Sequence, residues 1–277
     1  MLPSLLISLR EGLEAALVIG MVLGTLNKAG RPGFAAALWQ GVAAAAVLSV
    51  AAGIGLNLVG ASLSGKGENA FEGTSMILAA ILITWMCLWV GRQSRARQVN
   101  LEAGVRQAAS EASRQAVFLL AFLAVLREGT ELVFFIFASG LGATAISTAA
   151  GTGIGLLLAG FAGWAVFSST QKLNLRRFFQ ISNILLLFVA AGLFSRGMHE
   201  FIEAGWLTAG IPRVWDLSFV LNDQSFLGQL GASLFGYRSA PSLTEVISYL
   251  GYFALVGILF WLTVKLAENR SDRVKPA

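Results

Sequence analysis

A chain of 277 residues that is 56% hydrophobic and only 13% charged is not a soluble globular domain, which would carry about a quarter charged residues. Its net charge of +5 does not signal nucleic acid, because the basic residues sit in short loops between apolar runs. Cys87 and His199 are the only residues of their kinds, which excludes a disulfide framework and a zinc site built from several Cys or His ligands of one chain.

In chain order, apolar runs predict seven spans at about 3–26, 36–61, 72–91, 116–138, 144–168, 178–198 and 244–264. The runs are apolar on all faces, which fits helices and not the alternating strands of a membrane barrel. The first run is not expected to be a cleaved signal peptide. No basic region precedes it, and Arg10, Glu11 and Glu14 interrupt it. The fold class is therefore an all-α polytopic membrane protein.

Spans 1–3 and 4–6 read as an inverted 3+3 helix repeat, followed by a seventh helix. The corresponding ranges are repeat 1 at about 1–91, a polar Arg-rich cytoplasmic connector at 92–115 and repeat 2 at about 116–198. An external segment at 199–243, the seventh helix at 244–264 and a cytoplasmic tail at 265–277 follow. No soluble domain is expected.

Loop charges are asymmetric. One side collects Lys28, Arg31, Arg92, Arg95, Arg97, Arg106, Arg114, Lys172, Arg176, Arg177, Lys265, Arg270, Arg273 and Lys275. The other side has Lys66, Arg213 and Arg238. The positive-inside rule then places the N-terminus outside and the C-terminus inside, which an odd number of spans requires. Glycines of the second and fifth spans, Gly151, Gly155, Gly160 and Gly163 among them, and the Ala43–Ala46 run predict close helix packing.

The chemistry lies in Arg10-Glu11-Gly12-Leu13-Glu14, which recurs 117 residues later as Arg127-Glu128-Gly129-Thr130-Glu131. Each charge inside hydrocarbon costs a few kcal/mol, so three in little more than a helical turn, present twice, point to a transport site. Residues three and four apart share a helix face, so each motif presents both glutamates and its arginine together. If the two helices meet, four carboxylates and two guanidinium groups carry −4 + 2 = −2, which a divalent or trivalent cation nearly neutralises. Carboxylate oxygens suit hard cations such as iron, manganese, magnesium or calcium. Gly12 and Gly129 leave room for backbone or a hydrated ion beside the carboxylates.

The bland alternative is that each arginine pairs with one glutamate of its own helix and fixes packing, which leaves the second glutamate of each motif to exchange protons and metal. A further set, His199, Glu200 and Glu203, lies at the outer end of the sixth span. With Glu72, at the outer start of the third, it forms a candidate external collecting site. A helix N-terminus also accounts for Glu72 through the helix dipole.

The two Arg-Glu-Gly-x-Glu motifs in the first and fourth spans resemble those of the oxidase-dependent iron permease family. Phe71-Glu72-Gly73, Thr84-Trp85-Met86, His199-Glu200 and Phe235-Gly236-Tyr237-Arg238 are similar to its bacterial branch. The likeness covers essentially the whole chain. It implies an iron ion permease of the bacterial cytoplasmic membrane with Glu11, Glu14, Glu128 and Glu131 as iron ligands and Arg10 and Arg127 as their charge partners. It also implies iron as the transported substrate, no tightly bound cofactor, and a separate periplasmic iron-delivering or oxidising protein. A permease for another cation, such as lead or manganese, is the rival within transport. An intramembrane carboxylate–metal enzyme or sensor is the rival outside it.

Overall fold

The computed structural model describes residues 1–110, 113–141, 144–168, 175–223 and 225–272. Lys172, Arg273 and Lys275 of the charge-bias reading lie outside them, as do parts of the expected connector and tail. Among the described residues the chain is helical, with no strand. The helices are α1 (Leu2–Lys28), α2 (Ala35–Ser62), α3 (Lys66–Ser110), α4 (Arg114–Gly140), α5 (Ala145–Ser168), α6 (Leu175–Glu203), α7 (Phe226–Phe235) and α8 (Leu243–Asp272).

Among the described residues, five segments are long and apolar enough to cross a membrane: Pro32–Ser62, Lys66–Leu88, Ala145–Phe167, Arg177–Glu203 and Leu243–Leu262. Large apolar side chains stand exposed along them, including Val47, Val50 and Leu58 of α2 and Ile247, Leu250 and Trp261 of α8. Such a surface is stable against lipid and not against water. Helices α1 and α4 have 27 residues each, about 40 Å at 1.5 Å per residue, and are interrupted by the charged motifs.

Local chemistry sets the ends. Ser113 caps α4, its hydroxyl accepting from Ala116 N at 3.2 Å. Helix α3 begins at Lys66, six residues before the expected start, so Glu68 occupies the first turn and Glu72 the second. The favourable helix-dipole position belongs to Glu68 rather than Glu72. The expected external segment holds a helix that its composition did not announce. Ser225 starts α7 by accepting from Gly228 N at 3.0 Å, and Gly236 ends it at φ +67°, a left-handed cap that glycine adopts without strain.

The chain divides into two compact units, Met1–Ser64 with Val90–Leu186, and Gly65–Trp89 with Leu187–Ala277. In the first, α1 lies along α5, α2 along α4, and α1 along α4. Glycines set the first two contacts. A Cβ on Gly41 of α2 would fall 2.5 Å from Phe118 O of α4, and one on Gly53 would meet Val133. A Cβ on Gly151 of α5 would fall 2.3 Å from Met1 O, and one on Gly163 would meet Ala16 of α1 at 2.6 Å. The register repeats: adding 117 to an α1 number and 110 to an α2 number turns one set of contacts into the other. Gly160, expected to join this packing, has open space beside it.

Both contacts run in the same chain direction, so α5 is parallel to α1 and α4 parallel to α2. Val22 and Leu26 at the end of α1 share a buried cluster with Phe34 and Leu38 at the start of α2 and Val117 and Ala121 at the start of α4. The end of α1 therefore meets the start of α4, and these two helices are antiparallel. The second unit is held by close approach of Gly73 on α3 to Gly197 on α6 and by the buried Thr84–Tyr252 hydroxyl pair of α3 and α8 at 2.6 Å.

Candidate metal centre

The antiparallel crossing of α1 and α4 brings the two motifs together. Glu11, Glu128 and Glu131 each place a carboxylate oxygen within 4.8 Å of the others. Oxygens bound to one hard cation at about 2.1–2.5 Å lie at most about 4–5 Å apart, so the three can share an ion after small adjustments. Among the described residues no other group of three His, Cys, Asp or Glu side chains is gathered so closely.

Burial makes the cluster unusual. Glu11 is 1% exposed and Glu128 is 7% exposed. Arg10, fully buried, lies between the two glutamates of its own helix. Its Nη1 donates to Glu11 Oε1 at 2.6 Å, and its Nη2 is 2.9 Å from Glu14 Oε1. The other oxygen of Glu11, Oε2, is buried and accepts no hydrogen bond among the described residues. An acceptor left bare in the interior costs on the order of 1–3 kcal/mol, and a cation would satisfy it. Arg127 donates from Nε to Glu131 Oε1 at 3.0 Å. Glu14, the fourth motif glutamate, is held by Arg10 and is not part of the three-oxygen group.

The motif glycines do not face the carboxylates. A Cβ on Gly12 would fall 2.8 Å from the Ala159 Cβ of α5, and one on Gly129 would fall 2.2 Å from the Ser49 hydroxyl of α2. Their lack of a side chain admits a neighbouring helix, which corrects the expectation that they make room for an ion. Ser49 itself escaped sequence reasoning. It is buried, and its hydroxyl has no hydrogen-bond partner among the described residues.

In the second unit, His199, Glu200 and Glu203 form the last turn of α6. Carboxylates are disfavoured there by the helix dipole, so capping does not explain them. His199 Nε2 lies 3.2 Å from Glu203 Oε1, and Nδ1 lies 3.6 Å from Glu245 Oε1. Glu72, Glu203 and Glu68 act electrostatically on Glu200, with Arg238 opposing them. This set is looser than the motif cluster.

Glu245, 3% exposed, is the residue that sequence reasoning missed here. Its Oε1 accepts from Arg238 Nη1, and its Oε2 accepts from Ser242 N at 2.7 Å. The Ser242 hydroxyl accepts from Glu245 N at 3.4 Å, which completes a capping box at the start of α8. Ser242-Leu-Thr-Glu245 was a legible signal for that box.

Apolar helices of membrane-spanning length, with a carboxylate cluster gathered between two helices, define a multi-pass membrane protein. Residues 1–274 match the family model described as Iron permease FTR1 family, and the chain belongs to that family. It is 36% identical to the ferrous iron permease EfeU of Yersinia pestis over 259 residues, 93% of this chain and 92% of that one. It is 34% identical over 271 residues to the ferrous iron permease EfeU of Escherichia coli O6:K15:H31, covering 97% and 98% of the two chains. Against the protein of that name from Shigella sonnei the identity is 34% over 268 residues, 96% of this chain and 97% of the relative. No solved structure matches the chain. Family and relatives alike are permeases, so this is a transporter and not an enzyme.

Proposed function

We propose that this chain imports iron ions across the bacterial cytoplasmic membrane by binding them between Glu11, Glu128 and Glu131. The observation that carries the reading is the meeting of three carboxylates from two motif helices within 4.8 Å. Arg10 and Arg127 keep the surplus negative charge to about that of one cation, and Glu14, held by Arg10, adds its negative charge beside the ion. The relatives named ferrous iron permeases favour iron among the hard cations that oxygen ligands alone leave open.

In this reading α1 and α4 cross the membrane with the five apolar segments, giving seven spans with the N-terminus outside and the C-terminus in the cytoplasm. The antiparallel α1 and α4, and the matched contacts of α1 with α5 and of α4 with α2, support an inverted repeat of α1–α3 and α4–α6. His199, Glu200, Glu203 and Glu72 collect iron on the external side, received from a periplasmic iron-delivering or oxidising protein.

Uptake of iron by the purified chain in liposomes tests the assignment. Glu11→Gln and Glu128→Gln are expected to abolish uptake, and full uptake by both would reject the site. A competition series with manganese and lead in the same liposomes measures selectivity.

A further inference from the structure

The two motifs match at four of five positions, but their surroundings differ. On α4, Leu119, Leu123, Arg127 and Thr130 form one stripe of exposed side chains, at 52%, 54% and 43% for the first three. The positions 117 residues earlier on α1 are Leu2, Leu6, Arg10 and Leu13. Leu2 and Leu6 are half-buried, Arg10 is fully buried and Leu13 is 2% exposed. The difference covers a whole helix face and is not confined to one rotamer.

Arg127 is also the middle residue of α4, thirteen residues from Arg114 and thirteen from Gly140. At 1.5 Å per residue that is about 20 Å from either helix end, beyond the reach of a snorkelling arginine. A guanidinium at this depth is not stable against hydrocarbon, and intramembrane charges face a protein interior or a water-filled cavity. Among the described residues Arg127 keeps 43% of its side chain exposed, and its ion-pair partner Glu131 keeps 24%. Water is the occupant that both its charge and its exposure fit.

We propose that the Arg127–Glu131 ion pair forms the aqueous mouth of the carboxylate site, and that the two arginines are functionally inequivalent. Arg10 is a fixed counter-charge, locked between Glu11 and Glu14. Arg127 is a movable one, which an arriving cation displaces from Glu131 as it bridges to Glu11 and Glu128. The second carboxylate motif supplies the door, and the first supplies the wall behind the ion. The inference rests on the reading of this cluster as the transport site and adds the route by which an ion reaches it.

Single-cysteine variants test it, with Cys87→Ala as background. Thr130→Cys and the repeat-equivalent Leu13→Cys are reconstituted in liposomes and exposed to a charged, membrane-impermeant thiol reagent, with permeabilised vesicles to reach both faces. Labelling after denaturation confirms that each thiol is present and reactive. The expected result is that Thr130→Cys labels in the folded protein, that ferrous or manganous ion slows its labelling severalfold, and that Leu13→Cys does not label. Failure of Thr130→Cys to label, equal labelling of the two, or a Thr130→Cys disulfide dimer marking a protein interface would overturn the proposal. Uptake by Glu11→Gln and Glu128→Gln is scored separately. Its loss beside an unlabelled Thr130→Cys rejects the mouth and leaves the site standing, and its retention rejects the site itself.

Discussion

A Cβ on Gly129 would lie 2.2 Å from the hydroxyl of Ser49, so the glycine of the second motif is the point where α4 receives α2. Alanine at 129 would force Ser49 to turn away, and its own Cβ stands at 3.0 Å. Overpacking of this kind costs about 1–3 kcal/mol. Gly129→Ala is therefore expected to lower the thermal midpoint in detergent, and Gly129→Ala with Ser49→Ala to recover part of the loss. Gly41→Ala should be worse than either, because its Cβ would meet Phe118 O, a backbone atom that cannot rotate aside. Equal midpoints for the Gly41 and Gly129 variants would show that these glycines do not set the helix contact.

The carboxylates should not contribute equally. Glu11, Glu128 and Glu131 share the three-oxygen group, while Glu14 is engaged with Arg10. Replacing a ligand by glutamine removes a charged oxygen from the ion, and each tenfold loss of affinity corresponds to about 1.4 kcal/mol. Metal binding measured by calorimetry is expected to weaken by at least tenfold in Glu11→Gln, Glu128→Gln and Glu131→Gln, and by less in Glu14→Gln. A Glu14→Gln variant as impaired as Glu11→Gln would mean that all four glutamates hold the ion together.

The sequence carried the helices and the motifs well. Runs of about 20 apolar residues have few alternatives to a spanning helix, and the repeated motif stands out because charge in hydrocarbon is rare. Helical spacing put the two glutamates of each motif on one face, but runs that are apolar all round did not say which face turns inward. What the sequence concealed was pairing between helices. That Gly12 and Gly129 serve α5 and α2 rather than the ion depends on which helix lies behind α1 and α4, and no local pattern specifies that. The unequal exposure of Arg10 and Arg127 is hidden for the same reason, since the two local motifs match at all but one position. Helix α7 is short, and a ten-residue apolar stretch between two spans does not distinguish a helix from an interfacial loop.

The arginines offer a direct contrast. Arg10 reaches two carboxylates through separate nitrogens, a forked geometry that a lysine ammonium cannot reproduce. Arg10→Lys is expected to leave Glu11 or Glu14 uncompensated in a buried site and to abolish uptake. Arg127 contacts Glu131 from an exposed position, where lysine supplies the same charge. Arg127→Lys should retain uptake with an altered KM and a steeper salt dependence, measured in liposomes across ionic strengths. Identical behaviour of the two lysine variants would remove the distinction between a fixed and a movable counter-charge.

The start of α8 tests how the network of His199, Arg238 and Glu245 is held. Ser242 and Glu245 satisfy each other's backbone N–H groups, and Glu245 also receives Arg238. Loss of a capping serine costs about 1 kcal/mol, so Ser242→Ala should lower the thermal midpoint modestly. Glu245→Ala removes the cap and leaves Arg238 without its carboxylate, and it should destabilise more than Ser242→Ala. Breaking one partner of a partly buried ion pair is worse than replacing both, because the remaining charge keeps its desolvation penalty. The double change Glu245→Met with Arg238→Met is accordingly expected to unfold at a higher temperature than Glu245→Ala alone. If the double variant is the less stable of the two, Arg238 is held by something other than Glu245, and the capping box alone orders this end of α8.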